Sequence, residues 1–100
     1  MPNLSVSIPH NLSQEEAQRR IQDAIAQAKV QYSGQINDLQ ENWSGNVGTF
    51  GGSAMGQTVS GTVTVNASDV VLDLTLPFAA SFFKGKIEAG MREFTTKLLS

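Results

Sequence analysis

The sequence predicts a two-layer α+β domain: an antiparallel sheet with both helices on one face, in the order β-α-β-β-β-β-α. Three observations predict it. Apolar and polar residues alternate with period two over residues 4–8, 58–65 and 69–76, the pattern of half-buried strands. Apolar residues recur at spacings of three and four over 17–32 and again over 83–98, the pattern of helices with one buried stripe. Nothing in the 100 residues reads as a repeat, a linker or a low-complexity tail, so residues 1–100 are expected to form a single domain. One-faced helices and one-faced strands bury their apolar sides most simply against each other.

The chain opens with Leu4, Val6 and Ile8 on one side and Asn3, Ser5 and Ser7 on the other. Pro9 ends this strand because it cannot donate to a ladder. Ser13 and Glu16 then form a capping box, with the serine oxygen facing the amide of residue 16 and the glutamate reaching back to the amide of Ser13. The helix predicted at about 13–32 buries Ala17, Ile21, Ala24, Ile25, Ala28 and Tyr32, and Gly34 stops it.

Residues 36–43 and 47–54 are weaker strands around Ser44-Gly45-Asn46. Gly45, Gly48, Gly51, Gly52 and Gly56 leave this stretch poor in side chains, which predicts bulges, tight turns or close approach by another element. The strands at 58–65 and 69–76 are joined by Asn66-Ala67-Ser68, which is turn chemistry, and should form a hairpin with one apolar and one wet face. Pro77 closes the last strand. Phe83, Ile87, Met91, Phe94 and Leu98 then mark a final helix, with Gly85 at its entry.

Composition excludes several chemistries. The absence of cysteine removes disulfides, thiolate zinc sites and a Cys nucleophile, and fits a reducing compartment. A single histidine excludes a multi-histidine metal site. An apolar fraction of 40% against 16% charged residues is not that of a disordered tail. The N-terminus has no basic segment followed by an apolar core, so no secretory signal is expected. No apolar run nears the roughly 20 residues that span a bilayer, so a cytoplasmic location is expected.

The net charge of −2 is unevenly spread. Residues 1–29 balance, residues 30–83 carry −4 and no Lys or Arg, and the stretch from Lys84 carries +2. Nucleic-acid binding needs a dense cationic surface, which this pattern does not supply.

Candidate catalytic residues are few. His10 lacks the nucleophile and orienting acid of a catalytic constellation, and Ser13 beside it is taken by the helix cap, so His10 reads as structural. Asp69 and Asp73 share a strand face but lie about 13 Å apart, from a rise of about 3.3 Å per residue. Glu88 and Glu93 diverge on the final helix; all four read as solvated acids. Gly45-x-x-Gly48-x-x-Gly51-Gly52 lacks the Gly-Lys-Ser/Thr ending of a phosphate loop. No catalytic residue, metal or cofactor is assigned, and no enzyme activity is expected.

The run from Leu76 to Phe83 holds Phe78, Phe82 and Phe83 where the chain passes from strand to helix. The bland expectation is that they seal one end of the sheet under the last helix. The functional one is an exposed apolar patch, formed by Phe78, Phe82 and Phe83, for a partner surface or a second copy of the chain.

Three segments together resemble a known family. Pro9-His10-Asn11-Leu12-Ser13 leads into an Ala-rich helix. Ser60-Gly61-Thr62-Val63 opens a hairpin. Phe83-Lys84-Gly85-Lys86-Ile87-Glu88 enters the last helix. In this order and spacing, over nearly the whole chain, they resemble the small polyhydroxyalkanoic acid system proteins found with bacterial polyester-storage genes. The glycine-rich stretch at 45–56 departs from that pattern.

The resemblance implies a bacterial cytoplasmic protein tied to polyhydroxyalkanoate granules or their metabolism. The expected function is non-enzymatic binding or regulation through an apolar surface, with the granule surface or a granule protein as partner. A homodimeric assembly module without ligand is an alternative. The element order is also similar to a reduced helix-grip fold, in which a long C-terminal helix lies across a curved sheet. That similarity leaves a second alternative: a carrier of small hydrophobic ligands, with a cavity between sheet and helix that the glycines keep open.

Overall fold

A computed structural model describes residues 3–31, 37–54, 57–75 and 82–100. The elements are β1 (Asn3–Pro9), α1 (Gln14–Gln31), β2 (Asn37–Ser44), β3 (Val47–Ala54), β4 (Gln57–Val65), β5 (Asp69–Thr75) and α2 (Lys84–Leu98). The five strands make one antiparallel sheet in the order β1-β5-β4-β3-β2. This is the α+β arrangement that the alternation and helical spacing predict. The expected roles of Tyr32, Gly34, Ile36, Gly56, Leu76, Pro77 and Phe78 fall outside the described residues.

The register sorts side chains by face. Val6, Leu72, Val63, Gly48 and Trp43 stand side by side across all five strands. Leu4, Leu74, Gly61, Phe50 and Glu41 form the next row. These rows, with Ile8, Val70 and Val65 beyond them, make an inner face that both helices cover. The opposite face carries rows such as Ser5, Asp73, Thr62, Thr49 and Asn42, which suit water.

The fully buried core is confined to one side of the inner face. It consists of Leu4, Val6 and Ile8 of β1, Val65 and Val70 of the β4–β5 hairpin, Ala17 and Ile21 of α1, and Leu99 after α2. Ala17, with no accessible surface, lets α1 press closely on the sheet. Ile87, Met91 and Leu98 pack against this core from α2. Arg92 of α2 donates to the Ser7 carbonyl of edge strand β1 (3.4 Å), which ties the helix over that edge.

A network of hydrogen bonds pins the two layers at one end. The Val65 carbonyl accepts from the side-chain amides of Gln14 and Asn46, each at 2.8 Å. The Val65 amide donates to the Asn46 carbonyl (2.9 Å), and Gln18 donates to the Gly45 carbonyl (3.0 Å). Gly45 turns the two-residue β2–β3 connection with φ +62, a conformation that favours glycine. At the same end Arg20 of α1 donates to the carbonyls of Leu98 (3.1 Å) and Ser100 (3.0 Å). The helices therefore meet where α1 begins and α2 ends.

Two local expectations change. Ser13 caps α1 as predicted, accepting from the Glu16 amide at 3.1 Å. The Glu16 carboxylate, however, turns to Arg19 and Arg20 instead of closing the box, and the hydrogen bond from Arg19 holds its pKa below the usual carboxylate value. Gly85 lies in the first turn of α2, at the helix entry as expected.

The glycines of β3 cause no bulge: β3 pairs with β4 without a register break, and the irregularity falls in β2 between Asn37 and Gln40. Close approach is the operative reason at two positions. A Cβ on Gly48 would lie 2.8 Å from the Trp43 ring, and one on Gly61 would lie 3.0 Å from the Asp73 carbonyl oxygen.

The core's location makes a testable contrast. Ile8→Ala should lower the free energy of unfolding by about 3 kcal/mol, since it opens a cavity among fully buried neighbours. Phe94→Ala should lower it by less than about 1 kcal/mol despite removing more atoms, because that ring is mostly exposed. Urea unfolding followed by circular dichroism measures both.

Candidate functional site

Away from the pinned end the helices leave the inner face partly open. A cleft of about 240 Å³ runs over β3, β4 and β5, with Ile25 of α1 and Met91 of α2 as lips and Val63, Leu72 and Phe50 among its floor residues. A second cleft of about 180 Å³ lies between the helices, bounded by Ala24 and Ala28 on one side and Phe94 and Leu98 on the other. Ile25, Val63 and Leu72 line both, so the two form one continuous apolar groove. Its width follows from residue size: alanines face it from α1, and Gly61 and Gly52 contribute no side chains to the floor. The sheet–helix interface is thus not packed solid.

A polar cluster borders the inner face on the β2 side. Glu41 accepts from Trp43 Nε1 (2.6 Å) and from Lys29 Nζ at the end of α1. Trp43 lies over Gly48 and meets Phe50 edge to face, with ring centroids 6.1 Å apart. Burial alone would push the Glu41 pKa up. The hydrogen bonds from Lys29 and Trp43, with the lysine charge, outweigh it and hold the pKa below its ordinary value. Glu41 carries no motif that marks it in the sequence, although the alternation Leu39, Glu41, Trp43 places it on the apolar face of its strand.

The aromatic run is where the structure corrects the core expectation. Phe82 is 82% exposed and Phe83 60% exposed, so neither seals the sheet. Phe94, expected in the buried stripe of the last helix, is 61% exposed. The reason is rotational. The face of α2 that meets the sheet runs through Ile87, Met91, Thr95 and Leu98, with Thr95 buried where the spacing favoured Phe94. Steps of four, four, three and four make an apolar stripe wider than the strip a helix buries against one edge of a sheet, and Phe83 and Phe94 form its outer margin. Phe78 lies outside the described residues.

The remaining candidates are absorbed by structure. His10 is 7% exposed. Its Nδ1 accepts from the Leu12 amide (3.1 Å), which fixes the tautomer that lets Nε2 donate to the Asn66 carbonyl (3.1 Å). Asp69 accepts from Asn66 (2.8 Å) and Ser7 (3.3 Å) within the β4–β5 turn region. Glu88 pairs with Arg92 and Glu93 with Lys97 on α2. Among the described residues no three His, Asp or Glu side chains gather as metal ligands.

The geometry defines a small sheet-and-two-helix scaffold with an apolar groove and an exposed aromatic margin. The comparisons give this class a family. Residues 4–99 match the model of the family described as "Putative polyhydroxyalkanoic acid system protein", and the chain belongs to that family. A comparison with curated proteins returns no match. Among solved structures, the crystal structure of TTHA0849 from Thermus thermophilus aligns over 98% of this chain and 92% of its own, at 15% identity and a TM-score of 0.36, too distant to inform function. Among the described residues no helix is long and apolar enough to cross a membrane.

The Glu41 cluster predicts a pH dependence with a definite sign. A carboxylate whose folded pKa is lowered adds stability above its unfolded value near 4.5, and that stability is lost as pH falls through the folded pKa. Glu41→Gln should therefore reduce stability at pH 7 by on the order of 1 kcal/mol and flatten the loss between pH 5 and pH 3. Urea midpoints of both proteins across that range test this; parallel pH profiles would contradict it.

Proposed function

We propose that this chain is a non-enzymatic binding or regulatory protein of the polyhydroxyalkanoate system, docking on the granule surface in the cytoplasm through the apolar margin of α2. The observation that carries the reading is the exposure of Phe82 and Phe83 together at the start of that helix. Two adjacent phenylalanines in water are a standing cost, and covering each contributes about 1.5–3 kcal/mol to association. Phe78 extends the same aromatic run in the sequence. Family membership supports the setting. Non-enzymatic action is supported by the single histidine, whose ring nitrogens are both taken by backbone groups.

Purified chain should co-sediment with polyester granules, and Phe82→Asp should weaken that binding at least tenfold, from the apolar contribution of one ring. The variant should unfold at the same urea concentration as the parent. Failure of the parent to co-sediment rejects direct docking.

The groove favours a second reading, a carrier of small hydrophobic ligands. An apolar cleft of about 240 Å³ under Met91 and Ile25 has room for part of an acyl chain. Val63 stands on the floor of both clefts, so Val63→Phe should displace a fluorescent fatty acid and reduce its binding at least fivefold. Equal binding by both proteins would count against a carrier.

A further inference from the structure

The margin of α2 carries charge as well as aromatic rings. Lys84 and Lys86 follow directly on Phe82 and Phe83, and all four side chains are exposed. Among the described residues the other cations except these two enter ion pairs with Asp or Glu: Arg19, Arg20, Lys29, Arg92 and Lys97. Among those residues Lys84 and Lys86 form none. They also stand in the first helical turn, which holds no acidic residue and has no side-chain cap. Positive charge there opposes the helix dipole and works against folding. Two uncompensated cations placed at a cost to the helix, beside two rings placed at a cost in water, match one kind of surface.

The spacing extends the match. Phe83 and Phe94 are 11 residues apart, close to three full turns, so they lie in one line about 16 Å long at 1.5 Å per residue. Lys86 lies three residues beyond Phe83 and flanks that line on its solvent side, where Lys97 is already paired with Glu93. Rings in line with unpaired ammonium groups at the helix start suit a helix that lies in an interface, rings among acyl chains and ammonium groups at headgroup phosphates.

We propose that the Phe82–Phe83–Phe94 margin with Lys84 and Lys86 binds an anionic lipid layer. This rests on the reading of α2 as the docking face and names the chemistry of what it meets. The acidic sheet block, −4 over residues 30–83, helps to orient the contact, because only the α2 side is attracted to such a layer.

The test is flotation of the full chain with vesicles of phosphatidylcholine alone or with one third phosphatidylglycerol. The chain should float with the anionic vesicles and not with the neutral ones. Lys84→Gln with Lys86→Gln should weaken binding about 25-fold, at about fivefold per lysine near an anionic surface. Raising salt from 0.05 to 0.5 M should weaken it in the same direction. Both substitutions are on exposed side chains, and circular dichroism melting checks that the fold is kept.

Equal flotation with neutral vesicles, no flotation with either, or a double variant that binds as the parent does would each overturn the proposal. Polyester particles free of lipid are run in parallel. If the parent binds them but does not float with the anionic vesicles, the docking reading stands and the lipid assignment fails. If the parent binds neither, both fail. A concentration-dependent dimer in light scattering that Phe82→Asp abolishes, without vesicle binding, would assign this face to a second copy instead.

Discussion

The structure depends on a set of hydrogen bonds that ties three separate connections together at one end of the sheet. The Val65 carbonyl takes two side-chain amides, one from the first turn of α1 and one from the β2–β3 turn. His10 joins the β1–α1 connection to the β4–β5 turn with both ring nitrogens and its amide, which donates to the Ser68 carbonyl at 2.9 Å. Val65 and His10 are buried, and there an unpaired donor or acceptor costs about 1–3 kcal/mol, so these bonds hold by what their loss would leave unpaired. Ile8, Val65, Val70 and Ala17 are buried at the same place, and Val6 and Leu4 continue the core along β1. Both layers are therefore anchored at that end, and the groove lies over β3, β4 and β5.

What the other end lacks explains its shape. Alanines on α1 and glycines on β3 and β4 withdraw the side chains that would fill the space between sheet and helices. Trp43 recovers part of the loss by lying over Gly48 and bracing Phe50, and Lys29 links the end of α1 to the far strand through Glu41. Among the described residues α2 has no such link on that side. It rests on edge strand β1, and its hydrogen bonds with α1 among those residues come from Arg20 at its last turn. A helix seated on a sheet edge buries a narrow strip, and the outer rings of a wider apolar stripe stay in water.

Much of this was legible in the sequence, for identifiable reasons. Strands alternate with a period of two, so Leu4–Val6–Ile8 and Val70–Leu72–Leu74 announced both their elements and their faces. Ser13 announced where α1 begins because capping is local chemistry. The two-residue turn at Gly45 was marked by its residue type. The exposure of Phe82, Phe83 and Phe94 was not legible, since helical spacing says which residues share a face and not how much of that face a neighbour covers. The groove was legible only in part: the glycines signalled missing side chains, but Met91 and Ile25 become its lips only once the fold sets the two helices on either side of it. Glu41 was hidden because a lone acid within an apolar alternation reads as an exception until its partners, 12 residues upstream and two residues downstream, are brought to it by the fold.

The chain's one tryptophan and one histidine fall at opposite edges of the sheet. Trp43 of edge strand β2 sits over Gly48 and against the groove residue Phe50, its ring nitrogen bonded to Glu41, while His10 follows edge strand β1 and is enclosed in the anchor. Indole fluorescence and imidazole resonances are thus two native spectroscopic labels, one beside the groove and one within the anchor. Any event that spreads the groove while sparing the anchor would change the first signal and leave the second still, so the molecule carries its own means of telling local opening from global unfolding.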